Sequence, residues 1–141
     1  MSQENIALAH RWFEEVWNQR RDETVDELLR ADSVGHLETG DVHGVEGFKN
    51  ARAQFLSALP DLRVVIEDTV AQGENVVIRW TVYGTHAGDG LGIPPCHRPV
   101  TIQGITWIKV QEGQFVEGWD RWNLGGFLAN LQADETAPDA A

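Results

Sequence analysis

The sequence predicts an α+β domain in which a cone-shaped, curved antiparallel sheet packs on three N-terminal helices. Three observations predict it. Apolar residues follow a helical period up to Pro60 and alternate like strands after it. The strand-like runs are joined by short turns containing glycine, so consecutive strands pair as antiparallel neighbours. At 141 residues the chain is one ordinary domain, so helices and sheet share one core.

Each element follows from its pattern. Ile6, Ala9, Phe13, Val16 and Trp17 lie on one face of a first helix over Asn5 to Trp17. After a polar break, Val25, Leu28 and Leu29 mark a short second helix that Asp22 is placed to cap. Ala31 to Gly44 holds three glycines and no helical period, and reads as a short strand or loop. A third helix spans about Val45 to Leu59 and stops at Pro60. Strands follow over Leu62 to Ala71, Val76 to Thr85, Val100 to Val110 and Gln114 to Trp122. The second and third of these are separated by a long loop rich in glycine and proline, and loops of that length tend to serve function. Leu124 to Leu131 closes the domain as a short helix, giving a single domain over residues 1–132, and 133–141 reads as an acidic, disordered tail.

Composition narrows the function. The formal charge of −11, from 11 basic and 22 acidic residues, repels phosphates, so nucleic acid and anionic membranes are not expected partners. No run of 18 apolar residues is present, and the N-terminus lacks the pattern of a signal peptide, so a cytoplasmic location is expected. The lone Cys96 rules out an internal disulfide and reads as an incidental loop thiol. No metal-ligand spacing such as His-Glu-x-x-His, phosphate loop, dinucleotide fingerprint or serine-hydrolase elbow occurs, so no metal and no cofactor is expected.

The chemistry is sought on the last strand. Alternation puts Val116, Gly118, Asp120 and Trp122 on one face and Phe115, Glu117, Trp119 and Arg121 on the other. A carboxylate among Val, Gly and Trp is costly to ionise, which is how a catalytic base is often made; a helix cap or structural ion pair is the other reading. On the second long strand the apolar set Val76, Ile78, Trp80 and Val82 faces the cavity, with His86 at its end. His36 and His86 are each read either as partners at the cavity mouth or as structural residues. Trp80, Trp107 and Trp122 are expected to shape the cavity for a hydrophobic small molecule. An outer sheet face bearing Trp119, Tyr83 and Thr81 suggests a homodimer surface.

The motifs Phe-Glu-Glu-Val-Trp-Asn-Gln at 13–19, Gly-Val-Glu-Gly-Phe-Lys at 44–49 and Pro-Asp-Leu-Arg-Val at 60–64 resemble those of the SnoaL-like polyketide cyclases. Trp-Thr-Val-Tyr-Gly-Thr-His-Ala-Gly at 80–88, Gly-Ile-Pro-Pro at 92–95 and Gly-Trp-Asp-Arg-Trp at 118–122 extend the resemblance from about Ile6 to Leu131. It implies the nuclear transport factor 2-like (cystatin-like) cone and an aldol closure that needs neither metal nor covalent intermediate. Asp120 would be the acid/base, with His36 and His86 assisting. Some of these cyclases carry a histidine where Thr106 stands here, beside Trp107, which points away from a tricyclic substrate. Two alternatives stay open: a non-catalytic ligand-binding homodimer, with Asp120 held by an arginine such as Arg98, and an epoxide hydrolase or isomerase that would use Asp68 as a second buried acid.

Overall fold

The computed structural model describes residues 2–132, and the tail expected at 133–141 lies outside them. The first helix, α1 (Ser2–Trp12), runs into a π-helical turn over Phe13–Asn18, where Gln19 N–H reaches back to the Glu14 carbonyl at 2.9 Å. That wider turn adds a residue to the inward face, so Trp12, Phe13 and Val16 are all buried. The Asn18 side chain stitches its end to the sheet by donating to the Val64 carbonyl at 3.0 Å and accepting the Val64 N–H at 2.8 Å. In α2 (Asp22–Leu28), Asp22 is the first helical residue rather than the cap, and its carboxylate pairs with Arg52 of α3 (Gly44–Ala58). The helical residues Val16, Val25 and Ala58 and the neighbouring Leu59 are fully buried in one core with Val76 and Ile78 of the sheet. Each full burial of a Val, Leu or Ile is worth about 1.5–3 kcal/mol.

The sheet has six strands in the order β2-β1-β6-β5-β4-β3. They are β1 (Leu29–Leu37), β2 (Gly40–His43), β3 (Arg63–Gln72), β4 (Asn75–Thr85), β5 (Pro99–Gln111) and β6 (Gln114–Trp122). The expected hairpins β3–β4 and β5–β6 are present, and the helix α4 (Leu124–Gln132) closes the chain. The α+β architecture is the one expected. The stretch left as strand or loop forms β1 and β2, and β1 pairs with β6 in parallel. Its burial follows no two-residue alternation, which is why its strand character does not show in the residues.

Two bulges change which residues face inward. A shift between Ile66 and Asp68 reverses the phase of β3, so Asp68 is exposed and accepts the Thr69 N–H at 2.9 Å. Asp68 is therefore not the second buried acid that the epoxide hydrolase reading requires. A second shift, between Lys109 and Val110, lets both Phe115 and Val116 be buried, where Phe115 was expected to face outward. No helix among the described residues is long and apolar enough to cross a membrane.

Candidate active site

The site is built on β4, β5 and β6, where Thr106 stands opposite Asp120 and Gly104 opposite both Trp80 and Trp122. Gly104 makes this geometry possible. A Cβ there would lie 2.6 Å from the Trp80 ring and 2.9 Å from the Arg121 carbonyl oxygen, so only glycine lets the indole lie across β5. Trp80 Nε1 then reaches Thr106 Oγ1 at 2.8 Å, and Thr106 Oγ1 lies 2.7 Å from Asp120 Oδ1.

Asp120 opens into a cavity of about 160 Å³ between the sheet and α3. A dry cavity of about this size accepts a single aromatic ring. Its walls include Trp12 and Trp17 of the first helix and its π-turn, Phe48 and Phe55 of α3, and Trp80 and Trp122 of the sheet. Trp122 is held edge-on by Phe55 at 5.8 Å and Phe127 at 5.7 Å. Leu91, from the long loop, joins the lining. That loop lies tight on the end of α3: a Cβ at Gly88 or Gly90 would meet the carbonyl oxygen of Ser57 or Gln54 at 1.9 or 2.0 Å.

Asp120 is half-buried and lines the cavity. Protein otherwise surrounds it, and desolvation pushes its pKa up to about 6. The Thr106 hydroxyl opposes the shift by stabilising the carboxylate, while the charge of Glu38 at the cavity rim adds to it and Arg121 works against it. Arg121 does not pair with the carboxylate: its Nη1 donates to the backbone carbonyl of Asp120 at 2.7 Å. Arg98 is directed elsewhere, donating from Nη2 to the carbonyls of Asn130 and Leu131 at the end of α4.

Of the residues singled out in the sequence, Asp120, Thr106, Trp80 and Trp122 come together. Trp107 does not, because neighbours along a strand point to opposite faces and Thr106 faces inward. Trp107 is 47% exposed, packs edge-on against Trp119 at 6.4 Å and donates to Asn75 Oδ1 at 3.0 Å. His36 also sits on the outer face, stacked on Trp119 at 5.5 Å and placed between Asp41 at 3.0 Å and Glu117 at 2.7 Å. These two carboxylates, Glu117 first, raise its pKa. His86 faces inward but is sealed under the long loop. Its Nδ1 accepts the Cys96 N–H at 3.2 Å, and burial lowers its pKa. Neither histidine lines the cavity.

Polar groups that the sequence did not single out also line the cavity, among them Ser33, Glu38, Arg52 and Gln54. Arg52 is nearly buried; it pairs with Asp22 and donates to the Val16 carbonyl at 3.2 Å, so its charge is already compensated. A buried arginine spaced four residues from Phe48 on the apolar face of α3 was the one signal in the sequence for this group. Among the described residues no group of three or more His, Cys, Asp or Glu side chains is arranged to hold a metal ion.

The profile of the SnoaL-like polyketide cyclase family matches residues 7–131, nearly all of the described chain. The chain belongs to the SnoaL-like polyketide cyclase family. Solved structures of similar fold include a candidate SnoaL-like polyketide cyclase from Jannaschia sp. CCS1, with 23% identity, a TM-score of 0.89 and 95% of each chain covered. IdmH from Streptomyces antibioticus, a candidate polyketide cyclase, is 28% identical with a TM-score of 0.78 over 92% of this chain and 99% of its own. AclR from Streptomyces galilaeus, a candidate hydroxylase, is 25% identical with a TM-score of 0.81 over 99% and 87%. No curated protein matches the sequence. The SnoaL-like cone thus carries more than one named chemistry, and the reaction has to be argued from the site.

Proposed function

We propose that this SnoaL-like protein catalyses a cofactor-independent aldol ring closure of a small polyketide-like carbonyl compound, with Asp120 as the acid/base. One observation carries the reading: a carboxyl poised near pH 6 by desolvation faces an aromatic cavity. The ionised Asp120 takes a proton from a carbon flanked by carbonyls, and the C–H electron pair passes into the enolate. The enolate carbon attacks a second carbonyl of the same molecule, forming the C–C bond, and the resulting alkoxide takes the proton back from Asp120. Conjugation in the substrate spreads the enolate charge, and the tryptophan walls exclude water and hold the ring flat. The cavity volume favours a substrate smaller than a tricycle.

The test is deuterium exchange at the activated methylene of an aryl β-keto ester in D2O, followed by NMR. The wild type is expected to accelerate exchange through a limb that rises near pH 6, and Asp120→Asn to lose about 10²–10⁴-fold. Exchange at the same rate in both proteins would leave a ligand-binding role. We also propose that the chain pairs with a second copy through the outer sheet face, where Tyr83, Ile105 and Trp107 are 40, 45 and 47% exposed. Analytical ultracentrifugation is expected to report a dimer.

A further inference from the structure

We propose that Thr106 is a positioning residue that directs the movable proton of Asp120 onto Oδ2, the oxygen left to face a ligand. The role assigned to Asp120 above is its premise, and the geometry of the Trp80, Thr106 and Asp120 side chains is its support.

The argument is one of donor and acceptor supply. The indole Nε1–H of Trp80 donates and cannot accept, so its 2.8 Å contact with Thr106 Oγ1 fills an acceptor site of that hydroxyl. Thr106 has one proton of its own. With Oγ1 already receiving a hydrogen from Trp80, that proton is free to point along the 2.7 Å contact to Asp120 Oδ1. The reverse direction would set two hydrogens on Oγ1 and leave the threonine proton without an acceptor, since Oγ1 makes no third hydrogen bond among the described residues. The chain therefore runs one way, Trp80 to Thr106 to Asp120, and both contacts are enclosed: Trp80 and Thr106 are 6 and 9% exposed.

Two consequences follow for Asp120. Oδ1 accepts a strong hydrogen bond whether the acid is ionised or protonated, so a proton taken from a substrate settles on Oδ2. Among the described residues Thr106 is the one hydrogen-bond donor to this carboxyl, so Oδ2 stays open toward the cavity. Thr106 also stabilises the carboxylate more than the acid, and so holds back the upward shift that burial imposes. It sets both which oxygen acts and the pH at which it acts. The Trp80 indole serves a second purpose here besides forming a wall, and the Gly104 gap that admits the indole becomes part of the same arrangement.

The experiment is an NMR titration of the Asp120 carboxyl carbon in the full chain, which needs no substrate. Thr106→Val keeps the shape and removes the hydroxyl. Its Asp120 pKa is expected to rise by about one unit, a tenfold gain in proton affinity, while Thr106→Ser restores the wild-type value. Should the valine variant not fold, Thr106→Cys keeps the volume with a weak donor and is expected to shift the pKa in the same direction. A purely structural threonine would leave the pKa unmoved, and an unmoved value in the valine or cysteine variant, or a serine variant that matches valine, overturns the proposal. The pH limb of deuterium exchange is expected to move by the same amount. If the wild type titrates as described yet exchanges no deuterium, the aldol reading falls and the positioning role stands.

Discussion

The two faces of the β5–β6 ladder place neighbouring residues in opposite chemical worlds. On the inner face Thr106 and Asp120 meet at 2.7 Å beside an aromatic cavity, and the carboxyl forms no ion pair among the described residues, Arg121 donating to the backbone carbonyl instead. One residue along each strand, on the outer face, Trp107 and Trp119 meet edge to face, and the nearby carboxylate of Glu117 is matched by His36 at 2.7 Å. Residue types are similar on both sides, tryptophans with an acid among them. What differs is whether the acid has a partner. Desolvation without a partner raises a carboxyl pKa, whereas an acid beside an imidazole transfers its influence to the histidine, whose pKa rises instead.

The comparison can be broken first at activity. Asp120→Asn is expected to abolish proton abstraction by about 10²–10⁴-fold, and Trp107→Ser to leave it within about twofold while weakening any dimer; equal losses would mean the two faces are not functionally distinct. Next comes packing. Gly104→Ala puts a methyl group within 2.7 Å of two Trp80 ring atoms and 2.9 Å of backbone, so it is expected to cost on the order of 2–3 kcal/mol in urea unfolding and to break the Trp80 contact to Thr106. A smaller effect is read in pH. The native pKa of Asp120 near 6 lies above its ordinary 3.8, so native protein binds more protons than unfolded protein between those values and stability falls as pH rises through that window. Asp120→Asn is therefore expected to stabilise the protein by up to about 3 kcal/mol at pH 8 and to flatten that slope. The smallest effect belongs to the outer face. A raised His36 pKa contributes stability that is full below its ordinary 6.5 and is lost as pH rises through the native value. His36→Gln is expected to cost roughly 1 kcal/mol at pH 6 and less at pH 9, a slope of the same sign as that of Asp120 but in a higher pH window.

Residue pattern alone determined much of this molecule. The change from helical to alternating period at Pro60, the turns at Gly73 and Gly113, and the inward set of β4 follow from the spacing of apolar side chains, because burial is the dominant force and its period is visible in one dimension. The position of Asp120 among Val116, Gly118 and Trp122 was legible for the same reason. Only the tertiary structure decided the rest. The bulge near Asp68 turned an apparent inward acid outward, since one extra residue inverts every side chain beyond it. The parallel pairing of β1 with β6 carried His36 to the outer face, and the loop folded against α3 sealed His86 away from the cavity. The contact of Thr106 with Trp80, 26 residues apart in the chain, depends on a gap at Gly104. Such contacts leave no periodic trace, because they join side chains whose separation in sequence is set by strand pairing and whose direction is set by which atoms have hydrogens to give.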